Sequence, residues 1–303
     1  MIELYHETVP AVLAELAETP ELLRLGQVGM NCGCEYTAFP KFAGSRGYSR
    51  LEHSLGVGLI VWHFTEDAAQ AAAGLLHDLA TPTFAHVVDF LRGDYLAQEA
   101  TEDGTRERIE GSSRIQRILA RHGLRTDDVA DYHRYPIADN DSPRLSADRL
   151  EYSLGNALLW GFLTRAEIAA IYADLRVGVN EDGVPELVFG SPGLAARFAE
   201  AALACSKVYV SDADRYAMQA LSELLARGLE TGGPLPCRSE RHGAGADCQA
   251  GSLPAEGGLE ALSDHGQDAA RRHASRPSSL AADPGEKAPD RPPDGGSWPG
   301  IRL

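Results

Sequence analysis

Apolar residues recur at helical spacing through most of the first 231 positions, and polar capping residues break them into short segments. Thr19-Pro20-Glu21 supplies an N-cap residue, proline at the first helical position and an acid in the first turn, which predicts a short helix through Leu25. Residues 31–48 are punctuated by glycine and predict a loop, with room for one short strand pair. Ser49 then caps a helix to about Phe64, in which Leu51, Leu55, Leu59 and Trp62 recur at helical spacing. Thr65-Glu66-Asp67 opens an alanine-rich helix that ends near Leu79 and carries His77 and Asp78 at its C-terminal end. Proline cannot continue that helix, so Thr81-Pro82 starts a new one through about Leu91.

Ser112 or Ser113 opens a further helix to His122, closed by Gly123. Residues 126–143 are polar and predict mostly loop, after which a long helix from Ser146 carries Asp148 and Thr164 caps the next. Residues 176–190 alternate around Asp182-Gly183 and predict a β-hairpin. Helices at about 192–207 and 212–229 complete a mostly α domain over residues 1–231. Beyond it the periodicity stops. The last 72 residues, 232–303, hold 12 Gly, 9 Pro and a single aromatic, Trp298, a composition that cannot offset its ordering entropy. They predict a disordered low-complexity tail, which suits either a flexible regulatory segment or a shifted reading frame.

Charge narrows the partners. With 44 acidic against 28 basic residues the chain carries a net charge of −16, which repels nucleic-acid backbones and anionic membranes. The expectation is therefore no nucleic-acid polymer and no membrane, with small phosphorylated ligands such as nucleotides admitted where a metal and a few arginines supply local positive charge. No apolar stretch approaches the roughly 18–20 residues of a membrane span. The opening Met-Ile-Glu-Leu-Tyr-His-Glu lacks a basic region followed by an apolar one, so a cytoplasmic protein is expected. Cysteines 32, 34, 205, 237 and 248 make no paired framework, and Cys32-Gly-Cys34 reads as two reduced thiols in a turn.

Against this background a scattered constellation carries the chemistry. Arg50 and His53 are three apart, on one face of a helix start, so a phosphate-binding cation stands beside a metal ligand. His77 and Asp78 diverge by roughly 100° if helical, yet both reach an ion lying between their directions. Asp148 closes the set from a separate helix. Two His and two Asp suit a divalent ion of Mn, Fe, Co, Ni, Zn or Mg with open positions for water and a phosphoryl oxygen. Each residue alone reads as a core histidine or a capping aspartate. Together, and with His77-Asp78 behind Ala-Ala-Gly-Leu-Leu, they are buried polar groups that need partners, and a metal is the most economical one. His86 and Asp89 are also three apart, so the carboxylate can hold the imidazole in one tautomer; an incidental surface pair is the alternative. Glu52, Arg149 and Tyr152 are candidates to contact ligand or to support the ligands, or else packing and ion-pair residues.

Tyr48-Ser-Arg-Leu-Glu-His-Ser-Leu-Gly-Val57, Gly74-Leu-Leu-His-Asp-Leu79, Thr83-Phe-Ala-His86 and Ala147-Asp-Arg-Leu-Glu-Tyr152 resemble the HD-domain metal-dependent phosphohydrolases. The likeness is nearest to the branch with the SAM-and-HD-domain deoxynucleotide triphosphohydrolases. It runs over about residues 25–160, with a weaker likeness to about 230, and rests on the order and spacing of four motifs. The resemblance implies a helical HD bundle, metal ligation by His53, His77, Asp78 and Asp148, general-acid action by His86 with Asp89, and homo-oligomeric assembly. The chain departs from the branch at three places. Thr81 stands where a phosphate-contacting His is usual, Ile109-Glu110 where His-Glu is frequent, and Gly155-Asn156 where Arg-Asp follows the last motif.

The expected protein is thus a phosphohydrolase of a nucleotide or similar small phosphate ester, with metal-activated water as nucleophile and Arg50 neutralising phosphate charge. Two readings of other classes stand beside it. One is a nucleotide-binding regulator whose altered contacts at Thr81, Ile109 and Gly155 cost it catalysis. The other is an HD-type di-iron oxygenase, which needs extra histidines near His77-Asp78, where only His86 is available.

Overall fold

Ser49 and Asp67 cap the two helices around which the chain is built. The computed structural model describes residues 1–43, 48–88 and 104–230. Helices α1 (Ile2–Tyr5), α2 (Ala11–Ala17) and α3 (Pro20–Leu23) lead into a loop and then into α4 (Arg50–Thr65) and α5 (Ala68–Leu76). After these come α6 (Thr105–Gly111), α7 (Ser113–Arg121), α8 (Thr126–Val129), α9 (Ala147–Leu159) and α10 (Arg165–Asp174). A hairpin of β1 (Leu175–Val179) and β2 (Pro185–Phe189) precedes α11 (Pro192–Tyr209) and α12 (Asp212–Glu230). The fold is mostly α, as the periodicity predicts, and none of its described helices is long and apolar enough to cross a membrane.

At the start of α4 the Ser49 hydroxyl accepts from the Glu52 N–H while the Glu52 carboxylate accepts from the Ser49 N–H, a reciprocal capping box. Asp67 accepts from the N–H groups of Ala69 and Gln70 at the start of α5. The two helices then meet along faces that are almost wholly buried, Gly56–Val61 on α4 and Ala71–Leu76 on α5. They come close because Gly58 lies at the crossing, where a Cβ would sit 3.1 Å from both the Ala71 carbonyl and the Leu75 Cβ. Burying each large apolar side chain contributes roughly 1.5–3 kcal/mol, against about 1 kcal/mol for a cap. Packing therefore decides where the pair lies, and the caps decide where each helix begins.

Around this pair α2, α8 and α9 pack into one continuous apolar core with Leu13, Leu16, Val129, Leu150 and Leu154. A second, smaller core joins Cys32, Cys34, Phe39, Phe42 and Phe84 to Ala217, Met218 and Leu221 of α12. The strands pair antiparallel from Leu175 opposite Phe189 to Val179 opposite Pro185, in the expected hairpin. Cys32, Cys34 and Cys205 are buried free thiols.

Several expectations are revised. The loop before α4 holds a single antiparallel bridge between Gly29 and Ser49. Residues 126–143 are not all loop, because Thr126–Val129 is helical and Tyr132–Arg134 forms a 3-10 turn. The helix predicted from Pro82 is a run of turns through His86, with helix at 87–88. Ala85 has a positive φ of 42°, which helical propensity does not accommodate. Tertiary packing also makes helices of Ile2–Tyr5, Ala11–Ala17 and Thr105–Gly111, which lack strong sequence signals. Asp89 and the expected tail lie outside the described residues.

Candidate metal centre

Three elements deliver the site. α4 presents Arg50 and His53 from its first turn, α9 presents Asp148 from its own first turn, and α5 ends just before His77. Beyond Leu76 the backbone tightens into a 3-10 turn over His77–Ala80, so two adjacent side chains reach the same point at the end of the helix. His53, His77, Asp78 and Asp148 do come together. One ligand atom from each of His53, His77 and Asp148 lies within 4.8 Å of the others. His53 Nε2 is 3.1 Å from Asp148 Oδ1, and His77 Nε2 is 3.9 Å from the same oxygen. Asp78 Oδ2 stands 3.9 Å from His53 Nε2 and 3.7 Å from His77 Nε2.

The other ring nitrogens face the protein. Nδ1 of His77 is 2.7 Å from the Gly74 carbonyl, which has no proton to give, so His77 donates there and leaves the lone pair on Nε2. Nδ1 of His53 is 2.7 Å from the buried carboxylate of Glu151. Both imidazoles are thereby oriented to ligate through Nε2. Asp78 is held by Arg50 Nη1, at 2.9 and 2.8 Å from its two oxygens, and by the Thr81 hydroxyl, which donates to Oδ1 at 2.6 Å.

The electrostatics follow from this packing. Burial favours a neutral Asp78, but the charges of Arg50, His77 and His53 outweigh it and hold the carboxyl well below the usual carboxylate range. Asp148 is lowered too, since the His53 hydrogen bond and the charge of His77 overcome its burial. Burial disfavours a charged His53, yet hydrogen bonds to Asp148 and Glu151 push its pKa up to about 10. Carboxylates of Asp78, Asp148 and Glu151 thus face one guanidinium, and the cluster calls for further positive charge. With two Nε2 lone pairs and carboxylate oxygens converging, the donor set fits a divalent metal ion.

The cluster lies in a cavity of about 390 Å³ that is also lined by Asn31, Cys32, His86, Tyr132, Tyr152 and Arg215. Arg50 lines it as well; its Nη1 is engaged with Asp78, while its Nε is buried without a hydrogen-bond partner. His86 reaches the cavity from the turn after Pro82, and its predicted partner Asp89 is outside the described residues.

Other candidates are placed elsewhere. Glu52 caps its own helix, and Arg149 pairs with Asp139 at 3.2 Å to tie down the loop before α9. Thr81 is fully buried against Asp78, Ile109 is fully buried in the main core, and Gly155 lies under the Tyr48 ring. Glu151, Tyr48 and Tyr5 are the residues that sequence reasoning passes over. Glu151 is legible in principle, three positions after Asp148 and so on the same helical face.

The fold and site together define a helical bundle with a His/His/Asp metal cluster at its centre. Comparison with known proteins agrees with that class. The chain is 27% identical over 211 residues to the metal-dependent phosphohydrolase cns2 of Cordyceps militaris, covering 69% of this chain and 57% of that protein. It is 28% identical over 162 residues to the uncharacterized protein YdhJ of Bacillus subtilis, covering 52% of this chain and 47% of that protein. The chain thus spans about half the length of the curated relatives it matches. No family model matches it.

Proposed function

We propose that the chain is a metal-dependent phosphohydrolase of the HD type, acting on a nucleotide or a similar small phosphate ester. The observation that carries this reading is the convergence of His53, His77 and Asp148, with Asp78 beside them, at a cavity that also exposes an arginine and a histidine. Similarity to a protein named as a metal-dependent phosphohydrolase supports it. When bound, a divalent ion supplies Lewis-acid polarisation of a phosphoryl oxygen and activation of water. His53 and His77 hold it through Nε2, and Asp148 and Asp78 supply anionic oxygens. Arg50 orients Asp78 through Nη1 and offers its unpartnered Nε to a phosphate oxygen. His86, on the cavity wall, donates the proton to the departing oxygen. Small size and the acidic surface keep the substrate a small molecule in a cytoplasmic setting, and the deoxynucleotide triphosphates belong to the panel to be tested. Among the described residues only one group of three metal-ligating side chains gathers, which favours a single-ion hydrolase over a di-iron oxygenase.

The test is metal analysis of the purified protein together with a panel of nucleoside mono-, di- and triphosphates assayed for phosphate, pyrophosphate and triphosphate release. Bound divalent metal and turnover that disappears in Asp78→Ala are expected. A metal-free protein, or turnover that survives Asp78→Ala, overturns the reading; nucleotide bound without turnover in metal-loaded protein points to the regulator instead.

A further inference from the structure

Behind His53, away from the cavity, lies a buried carboxylate with three hydrogen-bond donors. Glu151 is 1% exposed. Its Oε1 accepts from the Tyr5 hydroxyl at 3.1 Å, and its Oε2 accepts from the Tyr48 hydroxyl and from His53 Nδ1, the latter at 2.7 Å. Two helices leave out side chains to make room for this arrangement. A Cβ on Gly56 of α4 would meet Glu151 Cγ at 2.7 Å, and one on Gly155 of α9 would overlap the Tyr48 hydroxyl. The carboxylate is reached from three separate parts of the chain, since Tyr5 is in α1, Tyr48 precedes α4 and Glu151 is in α9. Tyr5 is itself anchored by its carbonyl, which accepts from the Tyr172 hydroxyl at 2.9 Å.

A charge buried this deeply is costly unless it is paired, and an apolar side chain would fill the same space at no such cost. Of its three partners, only the imidazole has a second polar atom, and that atom points at Asp148. We propose that Glu151 is a positioning residue of the metal centre: it accepts the hydrogen bond from His53 Nδ1–H, fixes the ring, and leaves Nε2 to ligate. Tyr5 and Tyr48 hold Glu151 for this task, which makes the N-terminal helix α1 a part of the centre although it contributes no ligand. The assignment rests on the metal-centre reading above. Loss of such a supporting carboxylate weakens metal affinity by about 10–100-fold where it has this role. A carboxamide in its place has one acceptor oxygen for three donors and can turn its NH₂ toward His53, which favours the tautomer protonated at Nε2.

Mn²⁺ titration by calorimetry on the full chain, with circular dichroism and urea unfolding on the same preparations, tests this. Glu151→Gln is expected to bind Mn²⁺ about 10–100-fold more weakly than wild type, and Tyr48→Phe to weaken binding less while remaining folded. A purely structural network would instead lower the unfolding midpoint and leave Mn²⁺ affinity untouched, and that result overturns the assignment. If Glu151→Gln does not fold, Tyr48→Phe decides: folded protein with wild-type affinity overturns it. Wild-type protein that binds no Mn²⁺, Co²⁺ or Zn²⁺ overturns the metal-centre reading itself, an outcome distinct from equal affinity in wild type and variants.

Discussion

Arg50 and Asp78 are joined through one nitrogen, with Nη1 within 2.9 Å of both carboxylate oxygens and both side chains buried. Asp78 therefore reaches the metal cluster already bound to a cation, and its position is set by a helix start twenty-eight residues earlier in the chain. Removing one partner of a buried pair strands the other charge, which costs about 3–5 kcal/mol. Arg50→Met, close in shape but neutral, is expected to lose that much in urea unfolding of the metal-free protein. Added divalent metal should restore part of it, because a bound cation again compensates Asp78. An Arg50→Met protein as stable as wild type without metal would show that the pair does not hold Asp78.

Ser49 gives a smaller effect of a different kind. Its hydroxyl satisfies the Glu52 N–H, and the Glu52 carboxylate in turn satisfies the Ser49 N–H. The first-turn N–H of Arg50 has its own partner in the Val28 carbonyl. Ser49→Ala consequently removes one side of the box and leaves the helix start in place. The expected loss is about 1 kcal/mol of stability, with the Mn²⁺ affinity unchanged; a large loss of affinity would mean that the cap, rather than packing against α5, fixes His53.

These residues show what can be read from the chain and what cannot. The caps at Ser49, Asp67, Ser112, Ser146 and Thr164 are local chemistry, so the starts of α4, α5, α7, α9 and α10 are legible. His53, His77, Asp78 and Asp148 are legible because polar groups stand out in apolar helices, and the structure brings them together. The stretch after Pro82 defeats a local reading, since proline at N1 is a local signal and the turns there answer to packing: Phe84, Ala85 and Val87 enter the second core. The tyrosines around Glu151 are invisible for a plainer reason. Their hydrogen bonds span 146 and 103 residues, and no periodicity carries information over that distance.

Asp214 supplies a pH signature away from the ligands. It lines the cavity from α12, and burial pushes its carboxyl up to about 6 although Arg215 and the Cys34 thiol pull it back. The ordinary value is 3.8, so the folded protein holds this proton more tightly than the unfolded chain does. Asp214 accordingly costs nothing below about pH 4, costs more as pH rises, and reaches its full cost above about pH 6. Asp214→Asn is expected to stabilise the protein by about 1–3 kcal/mol at pH 7, and the gain should shrink as pH falls from 6 toward 4. Unfolding curves of the two proteins at several pH values check this; a gain that does not vary with pH would mean that the carboxyl is not desolvated.

Two glycine substitutions separate packing at the site from helix propensity. Gly111, at the end of α6, has nothing within 4 Å of an added Cβ, so Gly111→Ala relieves backbone entropy and is expected to be neutral or to stabilise by about 0.4–1 kcal/mol. Gly155 shares the helical backbone but not the space, because its Cβ would overlap Cζ and Oη of Tyr48. That ring is buried and hydrogen-bonded to Glu151, and the rigid end of an aromatic side chain cannot turn aside. Gly155→Ala is therefore expected to cost about 1–3 kcal/mol through overpacking, and to weaken Mn²⁺ binding as Tyr48 leaves Glu151. Joining it to Tyr48→Phe should give less than the sum of the two effects on Mn²⁺ affinity, since both act through one hydrogen bond. Additive effects would place Gly155 and Tyr48 on separate routes to the metal centre.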